Sequence, residues 1–287
     1  MGKEKNLLVK KPFEELTITD NYMFQAVMSD PKNVKPLLEM IIGKKISKIV
    51  VVEQEKTVET GYTSRGIRMD VYVEDDEDTV YDVEMQASKK RHFDKRFRYY
   101  QSAIDVDIVN KGESVGKLKK SLIIFITTYD PYGKGWYIYP FETICSWDSE
   151  VRMKDETKRI VLNTKGTKDK EGHEVSEEIK EMLSFMDGKT PKTEYAKMLD
   201  AAVHEIRQSE ERRREYMSIN AERADDKELG RFSGYVNSVR DSQYSDDILI
   251  NVLKIDGKTL MYVRQVLSEH PDWDDEEVAE EVLNIVD

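Results

Sequence analysis

Ser121–Thr128, Ser-Leu-Ile-Ile-Phe-Ile-Thr-Thr, restricts the fold more than any other stretch of the chain. Its unbroken apolar centre, Leu122–Ile126, is far too short to span a bilayer. A short run that is apolar on both sides suits a central strand buried on both faces. Such a strand needs other elements around it, and the flanking sequence supplies them.

Thr17–Asp20 offers capping residues ahead of Asn21-Tyr-Met-Phe-Gln-Ala-Val-Met, and a second helix is expected from Pro31 to a stop at Gly43. Ile49–Val52 reads as a first strand that turns near Gly61 or Gly66. Residues 68–74 and 79–86 then form a hairpin around an acidic turn. The stretch from His92 to Gly112 reads as a helix. Its Phe93, Phe97, Tyr100 and Ile104 fall at i, i+4, i+7 and i+11, one apolar stripe. After the central strand come the turn Asp130–Gly135, a strand in Trp136–Phe141 and a last strand in Arg159–Gly166. The order predicts an α/β core over residues 1–166. A polar, turn-like linker and a charge-rich helical extension follow over 167–230, with Ala202, Ile206, Tyr216 and Met217 as a thin apolar face. Residues 231–287 read as a small helical region. Thin stripes of this kind need a partner surface, so a homodimer through the C-terminal helices is a further expectation.

Acids outnumber bases, and the net charge of −12 argues against a uniformly basic coat for nucleic acid, though not against a local basic groove. The single cysteine, Cys145, excludes an intramolecular disulfide and a cysteine-based zinc site. The four histidines are scattered without ligand spacing. The first residues lack the apolar region of a signal peptide. Together these point to a soluble protein of a reducing, cytoplasmic compartment, with no membrane partner.

The hairpin carries the chemistry. Strand parity puts Asp70, Tyr72 and Glu74 on one face, and Asp82, Glu84 and Gln86 on one face of the return strand. A turn centred on Glu77 sets Asp70 opposite Glu84, a destabilising pairing of like charges. Two converging carboxylates call for a cation or a shared proton, and a hard divalent ion such as Mg²⁺ suits oxygen ligands. The alternative is two acids on a wet face. Within Lys89–Arg98, six basic residues stand against the one acid Asp94, a local excess of five positive charges. Arg91, Lys95 and Arg98 lie at i, i+4 and i+7 of the expected helix. A two-carboxylate site beside a basic stripe is an arrangement that phosphodiester chemistry would use; a merely solvated charged face is the other reading.

Asp70, thirteen intervening residues and Glu84-Met85-Gln86 resemble the PD-(D/E)XK nuclease motif with glutamine in the lysine place. Phe97–Glu113, Leu122–Cys145, Val161–Gly166 and the opening Thr17–Met28 are similar to the PD-(D/E)XK family transposases, also called recombination-promoting nucleases. The resemblance covers roughly residues 13–230. It implies a three-layer α/β/α, restriction-endonuclease-like core with a mixed sheet, followed by the α-helical C-terminal region, and Mg²⁺-dependent cleavage of DNA, with Mn²⁺ as a substitute ion. It further implies that Asp70 and Glu84 hold the metal, that the Met85 carbonyl completes the set, and that Gln86 orients the attacking water. Asp20 is a candidate extra acid and Gln101 a candidate metal-facing residue, while Arg91, Lys95 and Arg98 would contact phosphates. A neutral amide at position 86 offers no full positive charge. Either Gln86 suffices, or a cation comes in from Lys89, Lys90 or Arg98, or the chain is catalytically weak and serves as a module that binds nucleic acid or a protein.

Overall fold

The computed structural model describes residues 11–58, 67–240 and 242–286. The turn expected at Gly61 or Gly66 lies outside them. Two units divide between Ser209 and Glu210.

The first unit opens with α1 (Asn21–Met28) and α2 (Pro31–Ile42). Asp30 caps α2 by accepting from the Lys32 amide at 2.8 Å, and Gly43, at φ 70°, ends it in the left-handed region. Then come β1 (Ile49–Val58), β2 (Ile67–Asp75) and β3 (Thr79–Gln86), an antiparallel meander. The β2–β3 pairs Val71–Val83, Tyr72–Asp82, Val73–Tyr81 and Glu74–Val80 all centre on Glu77, the register that the hairpin pattern requires. Its turn is more than a solvated run of acids. Asp75 is buried and its Oδ1 accepts from the Glu77 and Thr79 amides, both at 2.9 Å.

The helix α3 (Phe93–Ile108) starts and stops inside the predicted span. His92 sits in the left-handed region at φ 59°, so Arg91 belongs to the preceding turn and not to a helical stripe. The strands β4 (Lys120–Thr127), β5 (Ile138–Phe141) and β6 (Thr157–Asn163) complete a mixed sheet in the order β1-β2-β3-β4-β6-β5. β4 runs parallel to both β3 and β6 at the centre, with Ile123, Ile124, Phe125 and Ile126 all at 0% exposure. Phe97, Tyr100 and Ile104 of α3 pack over Tyr72, Ile123, Phe125 and Val161 on one face, and Phe97 stacks on Phe125 at 4.1 Å.

On the other side, α1 and α2 lie against β1 and β2, backed by α5 (Glu194–Gln208) and α4 (Glu177–Met186). The first unit is thus a three-layer α/β/α sandwich. The linker and extension expected over 167–230 are divided by this packing. α4 buries Ile179, Met182, Leu183 and Met186, and α5 buries Tyr195, Ala196, Leu199 and Val203. These are full apolar stripes, set away from Ala202 and Ile206. Tyr195 Oη donates to the Asn33 carbonyl at 2.7 Å, and Arg207 donates twice to the Leu16 carbonyl at 2.6 and 2.9 Å.

The second unit holds α6 (Glu210–Arg240), α7 (Asp246–Leu253), α8 (Gly257–Glu269) and α9 (Asp275–Val286). α6 runs through Gly230 without a break, so the boundary expected at 230 is helical interior. Its buried residues are Phe232, Val236 and Val239, which join Leu249, Leu260, Val263, Val266, Val278 and Val282 in one core. The apolar faces of the helices from Phe232 onward therefore pack on one another within the chain, while Met217 stays exposed, and the expected homodimer gains no support from them. No described helix is long and apolar enough to cross a membrane.

Candidate active site

The β2–β3 ladder ends at Val71 and Val83, and side chains take over its hydrogen bonds there. The Asp70 amide donates to Glu84 Oε1 at 2.7 Å, and the Met85 amide donates to Asp70 Oδ2 at 3.1 Å. The two opposed acids are thereby fixed by each other's backbone. Gln86 Nε2 donates to the Met85 carbonyl at 3.2 Å and reaches Glu84 Oε2 at 3.5 Å. Asp70, Glu84 and Gln86 are 7%, 2% and 4% exposed. This is a buried polar cluster and not a wet face.

Two helices complete it. From α1, Gln25 Nε2 donates to Asp70 Oδ1 at 2.8 Å. The Asn21 amide, oriented with its nitrogen toward Asp70, donates to both carboxylate oxygens at 3.1 Å and accepts from Gln25 at 3.2 Å. From α3, Arg96 Nη1 donates to Gln86 Oε1, and Nη2 donates to Tyr100 Oη at 2.8 Å. Arg96 Nη2 also lies 3.5 Å from Glu84 Oε2, to which Tyr100 Oη donates at 3.2 Å.

Asp82 lies on the Glu84 face, as strand parity requires. It is fully buried, and no amide, hydroxyl or cationic group donates to its carboxylate; only the Glu84 carboxyl shares a hydrogen bond with it. Burial and then the neighbouring Asp70 push its carboxyl well above the usual range, against the pull of Arg96. Glu84 is likewise pushed well up, by burial first and then by Asp82 and Asp70. Burial raises Asp70 too, opposed by the bonds from Met85 and Gln25.

Of the residues expected at the site, Asp70, Glu84, Met85 and Gln86 are brought together. Asp20 is not: its carboxylate turns back to accept from the Thr17 amide at 2.6 Å and from Lys11 at 2.6 Å. Gln101 is not either, because its amide bonds Ser121 at 3.0 Å and Asp105 at 2.9 Å near the start of β4. Lys95 and Arg98 are exposed on α3, and Arg91 is exposed before it. The cation that enters is Arg96, not Lys89, Lys90 or Arg98. Asn21, Gln25, Asp82, Arg96 and Tyr100 were not among the expected site residues. Two signals for them exist in the sequence: Gln25 is the one polar side chain amid the apolar Met23–Met28, and Arg96 precedes Tyr100 by one helical turn.

The donor set fits a hard divalent ion. Among the described residues no three His, Cys, Asp or Glu side chains converge as a cage. Asp70, Glu84 and the Met85 carbonyl offer oxygen ligands alone, and an ion such as Mg²⁺ keeps several waters and needs one or two carboxylates. Three buried acids against one guanidinium leave negative charge that a cation would offset.

This geometry agrees with a comparison across protein families. The family model described as PD-(D/E)XK nuclease family transposase matches residues 18–238. The chain belongs to this family. No protein of curated function and no solved structure matches the chain. The PD-(D/E)XK match spans the whole sheet, α1 to α5 and nearly all of α6, and it ends before α7. It identifies the mixed-sheet core as a restriction-endonuclease-like fold and the chain as nuclease- and transposase-related.

Proposed function

We propose that the protein is a divalent-metal-dependent DNA endonuclease linked to recombination or mobile elements. The observation that carries this reading is the reciprocal bonding of Asp70 and Glu84 at the open end of the β2–β3 hairpin, with Gln86 beside them.

Asp70, Glu84 and the Met85 carbonyl would hold Mg²⁺ or Mn²⁺. When bound, such an ion activates water and offsets charge on the phosphate. Gln25 and Asn21 orient the Asp70 carboxylate, and Gln86 orients the attacking water through its amide. In the hydrolysis the water oxygen bonds to phosphorus, one ester P–O bond breaks, and the leaving oxygen gains a proton as the water loses one. Lys95 and Arg98 on the exposed side of α3, with Arg91 before it, contact flanking phosphates and set the register of the duplex.

The test is nicking of supercoiled plasmid with Mg²⁺ by wild type, Asp70→Ala and Glu84→Ala. Both variants are expected to lose cleavage, and cutting at the wild-type rate by both would overturn the reading. A second reading, a nuclease fold that binds without cutting, draws on the neutral Gln86. Salt-dependent DNA binding with no cleavage in either Mg²⁺ or Mn²⁺ would favour it.

A further inference from the structure

We infer that Arg96 is the cationic catalytic residue of this site, contacting the scissile phosphate where Gln86 offers only a neutral amide. The inference rests on the nuclease reading above.

Arg96 leaves α3 toward the ends of β3 and β4. Its guanidinium is seated by direct bonds to Gln86 Oε1 and Tyr100 Oη, the latter at 2.8 Å. Its Cζ lies 5.3 Å from the Tyr100 ring and 5.4 Å from the Phe125 ring. Those rings are buried, so the group is held before any substrate arrives, as electrostatic catalysis requires. Its side chain is 26% exposed, so the site encloses it only in part.

The plainer reading is that Arg96 only neutralises Glu84. The geometry favours the catalytic one. A dedicated counter-ion would direct its paired N–H groups at the carboxylate. Here the approach to Glu84 Oε2 is 3.5 Å, and the shorter bonds go to a neutral amide and a neutral phenol. A guanidinium has five N–H donors, and these two bonds use two of them. Its remaining donors are available to another anion, and a phosphate matches that fork. Lys89, Lys90, Lys95 and Arg98 are exposed, and none shares these bonds. Tyr100 is then a positioning residue: it seats the guanidinium and donates to Glu84 Oε2 at 3.2 Å.

The experiment pairs single-turnover plasmid cleavage at saturating Mg²⁺ with calorimetric Mn²⁺ titration. Arg96→Gln is expected to lower kcat about 100-fold, the cost typical of one lost transition-state donor, with Mn²⁺ affinity unchanged or tighter. Arg96→Lys is expected to cut faster than Arg96→Gln. Wild-type kcat in Arg96→Gln, beside an inactive Asp70→Ala, overturns the role of Arg96 and leaves the nuclease reading standing. Mn²⁺ affinity lost together with activity in Arg96→Gln also overturns it, because Arg96 would then support the carboxylates. No cleavage by wild type in either ion overturns both. Should Arg96→Gln not fold, Tyr100→Phe replaces it: kcat falls while KM and Mn²⁺ affinity hold, and an unchanged kcat overturns the inference.

Discussion

The backbone amide of Asp70 donates to Glu84 Oε1 at 2.7 Å, and this bond lets two opposed acids share the end of one hairpin. The Met85 amide returns the favour to Asp70 Oδ2 at 3.1 Å. Each carboxylate replaces a ladder acceptor, so the strands stop pairing where the site begins. The arrangement is stable as folded but leaves three acids buried together, and that has a cost that depends on pH.

Burial raises the Asp82 and Glu84 carboxyls well above their usual range, and it raises Asp70. An acid raised in the folded state binds more protons folded than unfolded. Stability therefore falls as pH rises from the ordinary carboxylate range, about pH 4, and the loss is complete above the raised folded values. Asp82→Asn removes one such group, and the only side chain hydrogen-bonded to it is the Glu84 carboxyl. In EDTA, the melting temperature of wild type is expected to drop relative to Asp82→Asn as pH rises above the ordinary carboxylate range of about 4. Added Mg²⁺ should recover the wild-type loss at the upper end. Parallel melting curves for the two proteins at every pH would contradict this.

Gln25 is 1% exposed and its bond to Asp70 Oδ1 favours the ionised carboxylate. Gln25→Ala removes that bond, so Asp70 is raised further and competes less well for a cation. Mn²⁺ affinity at neutral pH is expected to weaken by about 10–100-fold, the usual cost of a lost supporting hydrogen bond at a metal site. The deficit should shrink as pH rises. Calorimetric titration at two pH values checks it, and equal affinities for wild type and variant would refute the role given to α1.

The turn after β6 depends on one glycine. A Cβ at Gly166 would lie 2.7 Å from Tyr137 Cα and 2.5 Å from its Cδ1. The first is backbone, already tied down because the Asn163 amide donates to the Tyr137 carbonyl at 2.8 Å. Gly166→Ala is expected to cost about 1–3 kcal/mol, the range of overpacking. A urea midpoint unchanged from wild type would show that this turn gives way more easily than the contact implies.

The sequence displays the centre of this fold because local patterns decide it. β4 is apolar on both sides, the β2–β3 register follows from period-two alternation, and the aromatic stripe of α3 follows from 3.6-residue spacing. What it conceals depends on partners far along the chain. Arg207 finds Leu16 across 191 residues and Tyr195 finds Asn33 across 162, and nothing in the charge-rich local sequence announces either bond. At the site the acid pair and Gln86 are legible, since strand parity and the hairpin register bring the two strand ends together. Arg96 is harder to single out because it is one of six basic residues in Lys89–Arg98, and only its spacing to the buried Tyr100 sets it apart. Arg96 flanks the buried stripe one turn before Tyr100, whereas Arg98 is exposed.

The C-terminal helices make an independent demand. Val263 is 0% exposed at the centre of the core that α6, α7, α8 and α9 share. A unit of this size has only roughly 0.05–0.15 kcal/mol of stability per residue. Val263→Asp buries an unpaired charge there, which belongs with the rare substitutions that cost more than about 4 kcal/mol. Amide hydrogen exchange is expected to show protection lost through α8 and α9, while β3 and β4 exchange as slowly as in wild type. Plasmid cleavage measured on the same sample should then persist, because every residue assigned to the site lies before Ser209. Loss of protection in β4 together with α8 would mean that the two units do not fold independently, and that the core needs its helical tail to stand.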